Sequence, residues 1–209
     1  MRRAHSPHAE GAHTNLLQLC ASNDNHKFLL CALFFGGMQT AARGVPSMRD
    51  ILMVPPFRLG LLWYGDRVWR IDLEWAGQQE GEKSLWESPQ ACEAERVLGA
   101  CVKGNGPGAE ALPLVWHRVG DFAGKVLRTL YDRVGPGEWI SYSGLAHMCG
   151  VPGGARAVGK VMRENPWPLV IPCHRVLRRD GNIGGFSSGV GMKRYLLVRE
   201  GVLTDQWGS

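Results

Sequence analysis

The chain has no Cys-x-x-Cys pair, and its six cysteines, Cys20, Cys31, Cys92, Cys101, Cys149 and Cys173, follow no regular spacing. That absence argues against a zinc ribbon and a disulfide framework and points to a reducing, cytoplasmic compartment. Long apolar runs are also missing. The run Phe28–Phe35 is eight residues long, where a bilayer span needs about 20, so no membrane partner is expected. Mostly polar residues precede that run, whereas a secretory leader carries its charged region close to the start. His5, His8, His13, Cys20, His26 and Cys31 are gathered near the N-terminus but lack the spacing of zinc ligands, so no metal site is expected there.

With 209 residues, 44% of them hydrophobic, the chain can build one large or two small domains. Its charge is uneven. Residues 1–117 hold 11 Lys and Arg against 12 Asp and Glu, a balance of −1, and residues 118–209 hold 13 against 7, a balance of +6. The second part is therefore the one suited to a polyanion. Residues 1–47 lack a periodic pattern and are read as an extension, disordered or lying upstream of a true start at Met38 or Met48.

Residues 48–115 form the first expected domain. Arg58–Tyr64 and Arg67–Leu73 are β-rich runs joined through Gly65-Asp66, the pattern of a hairpin. Gln90–Cys101 has the spacing of an amphipathic helix, and Gly104–Gly108 reads as a loop. Trp63, Trp69 and Trp75 are expected as core and edge aromatics.

Residues 118–205 form the second. Phe122, Val126, Leu127 and Leu130 share one face of a helix over 122–133, ended by Gly135-Pro136-Gly137. Ser141 caps a helix over 142–148, Gly150–Gly153 forms a turn, and a second helix covers 154–164. Two short helices around a tight turn make a helix-turn-helix pattern. The second helix is lined with Gly154, Ala155, Ala157 and Gly159, which permit close approach to a groove but read little sequence. Val158 and Val161 are expected to face inward.

Ile171-Pro172-Cys173-His174-Arg175-Val176 carries the chemistry. Thiolate is the reactive form of cysteine, and an adjacent imidazole and guanidinium favour it. This block, with Ser141–Ala146, Gly150–Gly159, Asn165-Pro166, Gly184-Gly185-Phe186-Ser187, Lys193, Leu196-Leu197 and Glu200-Gly201 in that order, resembles the O6-alkylguanine-DNA alkyltransferases, also called methylated-DNA–protein-cysteine methyltransferases. The likeness covers about residues 122–201.

The resemblance implies an α+β fold: a small ribonuclease-H-like N-terminal α/β domain, then a mostly helical, winged helix-turn-helix-like domain. It implies irreversible transfer of a methyl group from O6 of guanine, and less readily from O4 of thymine, to Cys173. Double-stranded DNA is the implied partner, docked through its minor groove on a monomer, and no cofactor is called for. By the same resemblance Glu200 orients His174, which takes the Cys173 proton through a water, and Asn165 braces the turn before the cysteine. Arg156 fills the space left by the flipped nucleotide. Tyr142 assists rotation and donates to guanine N3. The carbonyls of Cys173 and Val176 accept from the guanine amine, Ser187 donates to O6, and Gly184 and Gly185 let the loop pass close to the base. Arg175 is expected to be structural or electrostatic.

Phe186 stands where many members have tyrosine, which removes a hydroxyl near O6 and retains the ring. Cys173 itself is kept, unlike in a non-catalytic subfamily that carries tryptophan. Two other classes fit parts of the pattern. A DNA-binding regulator would bind without transfer, and a Cys-His hydrolase would turn over through an acyl-enzyme, for which no oxyanion hole is evident.

Overall fold

Alternating apolar residues organise the first third of the described chain into an antiparallel meander. In a computed structural model, which describes residues 46, 48–77, 83–106 and 112–204, the strands are β1 (Met48–Val54), β2 (Phe57–Tyr64) and β3 (Arg67–Trp75). β2 pairs with both neighbours, and Leu52, Leu59 and Leu73 lie in register across the sheet. The expected hairpin is β2–β3, turning at Gly65-Asp66, with Gly65 at positive φ. β1 was not among the expected elements. Val54 and Phe57 pair across Pro55-Pro56, the connection between the first two strands.

One face of the sheet is covered by α1 (Ala91–Val102), which packs on β1 and buries Ala94, Val97, Leu98 and Cys101. Asp50 is fully buried in β1. It is satisfied by Trp63 Nε1 at 2.6 Å, by the N–H groups of Glu87 and Ser88 and by the Ser88 hydroxyl, so this carboxylate anchors the segment leading into α1. Trp63 is buried, Trp69 is half-buried and Trp75 is exposed.

After a 3-10 turn at Trp116–Arg118 come α2 (Asp121–Arg133), β4 (Ile140–Ser141), α3 (Tyr142–Met148), α4 (Ala155–Arg163), a second 3-10 turn at Cys173–Arg175, β5 (Val176–Leu177) and α5 (Val190–Arg199). The five helices and the small antiparallel sheet make a mixed α/β architecture. Val126, Leu127 and Leu130 of α2 are buried, but Phe122, one turn earlier, lies outside the buried stretch and is 40% exposed. Ser141 accepts from the Gly144 N–H at 3.0 Å, as a capping hydroxyl should. The turn between α3 and α4 uses positive φ at Gly150 and Gly153. Val158 and Val161 are buried, and α2, α3 and α4 pack on one another.

Two links position the cysteine. β4 and β5 pair in parallel, Ile140 with Val176 and Ser141 with Leu177, which sets the start of α3 beside the turn that carries Cys173. The Trp167 indole donates to the Val68 and Trp69 carbonyls at 3.0 and 3.2 Å, and Ile71 N donates to Pro166 O at 2.9 Å. The segment before the cysteine is thereby fastened to β3, and the described residues belong to one compact unit, Ala41–Ser209. Residues 1–45 and Ser47 lie outside the described residues, and with them the expected N-terminal extension and the His and Cys residues it contains. Among the described residues no helix is long and apolar enough to cross a membrane, and no group of three His, Cys, Asp or Glu could hold a metal ion.

Candidate active site

A cavity of about 290 Å³ opens beside Cys173. Tyr142, Gly159, Met162, Arg163, Gly185, Phe186 and Ser187 complete its lining. Of the residues expected at the site, Cys173, Tyr142, Gly185, Phe186 and Ser187 meet here. Gly184 sits just behind, at positive φ, where a Cβ would come within 3.8 Å of Tyr142 Oη. Met162 and Arg163, on the last turn of α4, supply wall that the motifs did not assign to catalysis or binding. Arg156 is exposed on the first turn of α4 and does not line the cavity.

Behind the thiol lies a buried charged cluster. The side chains of His174, Arg175 and Glu200 are 2%, 3% and 1% exposed. Glu200 accepts from His174 Nε2 at 3.0 Å and from Arg175 Nε and Nη2 at 2.9 and 2.8 Å. Arg175 Nη1 also donates to the Val134 carbonyl at 2.6 Å, which ties the cluster to the end of α2. The planar guanidinium suits this two-pronged grip on a carboxylate, and Arg175 is structural and electrostatic in its placement.

Burial alone would raise the Glu200 carboxyl. Hydrogen bonds from His174 and Arg175, with their charges, outweigh it and hold the group below the ordinary carboxylate range. Glu200 is therefore an ionised acceptor, and His174 Nε2 must carry the proton that it receives. Nδ1 is then the basic nitrogen. It is buried and without a hydrogen-bond partner among the described residues. Burial pulls the His174 imidazole below its usual range, and the upward pull of Glu200 does not overcome this, so the ring is neutral at pH 7.

Burial likewise pushes the Cys173 thiol up, against downward contributions from the Asn165 amide, the Lys193 charge and the backbone N–H groups of Cys173 and His174. The resting group is a thiol surrounded by what a thiolate would need. Asn165 also donates to Ile171 O and accepts from Trp167 N, each at 3.0 Å, so it braces the turn between α4 and the cysteine.

Lys193 is fully buried on α5. Its Nζ donates to Val176 O at 2.6 Å and makes a longer contact of 3.4 Å with Gly185 O, and it lies 5.8 Å from the Tyr142 ring centre. The motif reading included this lysine without giving it a role. Its signal is a lysine on the apolar face that Met192, Leu196 and Leu197 define, where a charge is costly unless it is used. Burial brings its ammonium down to about 8, partly offset by Cys173. Tyr142 is raised, by burial first and then by Cys173, so its hydroxyl keeps its proton and can donate.

Residues 121–202 match the family described as 6-O-methylguanine DNA methyltransferase, DNA binding domain. Among curated relatives, a methylated-DNA–protein-cysteine methyltransferase of Rattus norvegicus is 48% identical over 102 residues, 47% of this chain and 49% of that protein. The protein of that name from Homo sapiens is 49% identical over 80 residues, 38% of this chain and 39% of that protein. The matched stretch thus spans about half the length of these relatives, or less. Among solved structures, an O6-methylguanine-DNA methyltransferase from Pyrococcus kodakaraensis aligns with a TM-score of 0.59 at 29% identity, covering 74% of this chain and 98% of that one. A Mycobacterium tuberculosis OGT in complex with DNA aligns with a TM-score of 0.58 at 27% identity, covering 74% and 94%.

Proposed function

We propose that this chain, whose residues 121–202 belong to the family of the 6-O-methylguanine DNA methyltransferase DNA-binding domain, repairs DNA by taking a methyl group onto Cys173 once and irreversibly. The observation that carries this reading is a buried Cys173 thiol beside a cavity of about 290 Å³ and backed by the His174–Glu200 pair. The substrate is O6-methylguanine in duplex DNA, with O4-methylthymine a poorer one. Residues 48–115 act as the ribonuclease-H-like domain and residues 118–205 as the winged helix-turn-helix-like domain of a monomer.

A base inside a stacked duplex is out of reach of a buried thiol, so the nucleotide must turn out into the cavity. The small-residue face of α4 meets the minor groove, and Arg156, exposed and without an ion pair among the described residues, enters the stack behind the departing base. Tyr142 helps turn the target phosphate. In the cavity the carbonyls of Cys173 and Val176 accept from the guanine amine, Ser187 donates toward O6, and Phe186 packs against the base. Gly184 and Gly185 allow that close approach.

His174 Nδ1 takes the thiol proton through a water, and Glu200 holds the imidazolium that results, in the order nucleophile, base and orienter. The thiolate attacks the methyl carbon in line. A carbon–sulfur bond forms as the carbon–O6 bond breaks, and its electron pair goes to the guanine, whose N3 receives a hydrogen bond from Tyr142. Holding thiolate and carbon in that line supplies most of the rate. The product thioether has no leaving tendency here, which ends the life of the molecule as a reagent. No step draws on a metal or organic cofactor.

The reading is tested with a duplex that carries one isotopically labelled O6-methylguanine. The label moves to the protein if the proposal is right. Binding without movement of label would favour a DNA-binding regulator instead.

A further inference from the structure

The geometry around Glu200 assigns a part in the reaction to a turn that lies outside residues 121–202. Resting on the methyl-transfer reading above, we propose that Lys103–Gly106, the turn that ends α1, is a positioning element for Glu200. It closes on the end of α5 and so sets how Glu200 meets His174.

Glu200 is the residue directly after α5 and, among the described residues, has no hydrogen bond of its own to the sheet. What lies against its backbone is Gly104. A Cβ there would stand 2.5 Å from Arg199 O, 2.9 Å from Arg199 C and 3.2 Å from Glu200 N, so the Cα of Gly104 is flush against the last peptide of α5. Backbone cannot give way as a side-chain tip can, and any larger residue must push the helix end outward. Gly106 repeats the arrangement one step on. Its Cβ would meet Pro136 Cγ at 2.8 Å and come within 3.8 Å of Arg175 Nη2. Gly137 approaches from the opposite part of the chain, with a Cβ position 3.3 Å from Glu200 O. Cys101, in the last turn of α1, lies within electrostatic reach of the same pair. Burial pushes its thiol up to about 12, with Arg175 lowering it and Glu200 raising it.

The turn therefore lies against the backbone that carries a carboxylate whose side chain is 1% exposed, and that carboxylate holds the imidazole through a 3.0 Å bond. Moving the end of α5 outward lengthens that bond and admits water to the cluster. The cysteine, the cavity and the DNA-facing helix α4 stay where they are. Gly104 has a second duty, since its positive φ also ends α1, with its N–H donating to Cys101 O. A control for backbone strain is thus required. Gly65 supplies it, with φ of +61° and nothing within 4 Å of its Cβ position.

The experiment compares Gly104→Ala, Gly106→Ala and Gly65→Ala in the full chain, well below their melting temperatures. It reads the maximal rate of methyl transfer from an O6-methylguanine duplex, affinity for unmodified duplex, and the ¹⁵N resonances of the His174 ring. Gly104→Ala is expected to slow transfer by about ten-fold or more, to leave the affinity unchanged and to shift the His174 signals. Gly65→Ala is expected to leave all three unchanged. Gly106→Ala, which meets a proline ring rather than backbone, is expected to act in the same direction more weakly, and it decides the matter if Gly104→Ala does not fold. Wild-type transfer or unmoved His174 signals in a folded turn variant would overturn the proposal, as would equal slowing by Gly65→Ala. If the unmutated chain takes up no methyl group, the reading of the reaction fails, while the His174 resonances still decide whether the turn positions that ring.

Discussion

Lys193 donates from Nζ to the Val176 carbonyl at 2.6 Å, so the residue three places beyond the cysteine is held by a buried ammonium on α5. The same nitrogen reaches toward Gly185 O on the facing wall of the cavity. One cation thus joins the cysteine turn to the glycine loop and sits close enough to favour the thiolate when it forms.

Lys193→Met should therefore slow methyl transfer by about ten-fold or more, because the forming thiolate loses a nearby positive charge and each ~1.4 kcal/mol of lost transition-state stabilisation is about ten-fold in rate. Affinity for unmodified DNA should not change. Single-turnover kinetics at saturating duplex measure this directly, and a variant at wild-type rate would remove Lys193 from the mechanism.

The same lysine has a pH signature. Its folded pKa of about 8 lies below the unfolded value of about 10.4, so between these limits the unfolded chain binds more protons and stability rises with pH. In the folded protein the ammonium charge itself is lost as pH rises through about 8. Thermal melts from pH 8 to 10 should show an alkaline stability increment in the wild type that Lys193→Met lacks.

On the acid side the sign is the same. His174 is held below its usual value, so as pH falls below about 6.5 the unfolded chain takes up a proton that the folded one refuses. Glu200 is also held low, and below about 4.3 the unfolded carboxyl is protonated first. Both effects remove stability as pH drops. Glu200→Gln leaves the buried Arg175 guanidinium without its counter-charge, at a cost of about 3–5 kcal/mol. Its melting curve at pH 7 should lie well below that of the wild type, and its acid dependence should be flatter.

Much of this was legible in the sequence because it is local. The Gly65-Asp66 hairpin, the Ser141 cap, the span of α3 and the turn at Gly150 follow from residue type and short-range spacing, and α1 and α4 begin and end within a residue of their expected limits. β1 was missed because Asp50–Val54 alternates buried with half-buried positions, one of them the carboxylate of Asp50, which donors from Trp63, Glu87 and Ser88 make tolerable. Phe122 carries the helical period of α2 yet stays exposed, since periodicity does not say where packing partners begin. Of the site, the cysteine turn, Tyr142 and the glycine loop were visible as motifs. The roles of Lys193 and Gly104 were not, because each depends on a contact between segments far apart in the chain.

Arg156 projects into solvent from α4 and does not line the cavity. In the proposed reaction it acts only when a nucleotide leaves the stack. Arg156→Ala should slow transfer from a duplex by a factor of about ten or more while leaving transfer from free O6-methylguanine nearly unchanged, since unstacking costs a few kcal/mol in duplex alone. Equal slowing on both substrates would make Arg156 a structural residue.

The central claim is that Cys173 is a reagent consumed in one event. The direct measurement incubates the protein with a large excess of O6-methylguanine duplex and follows methyl groups transferred per protein, then locates them by peptide mass. The account predicts a plateau at one methyl per molecule, all of it on the peptide containing Cys173, and none in Cys173→Ala. Continued release of repaired DNA beyond that plateau, or methyl found on another residue, would contradict it.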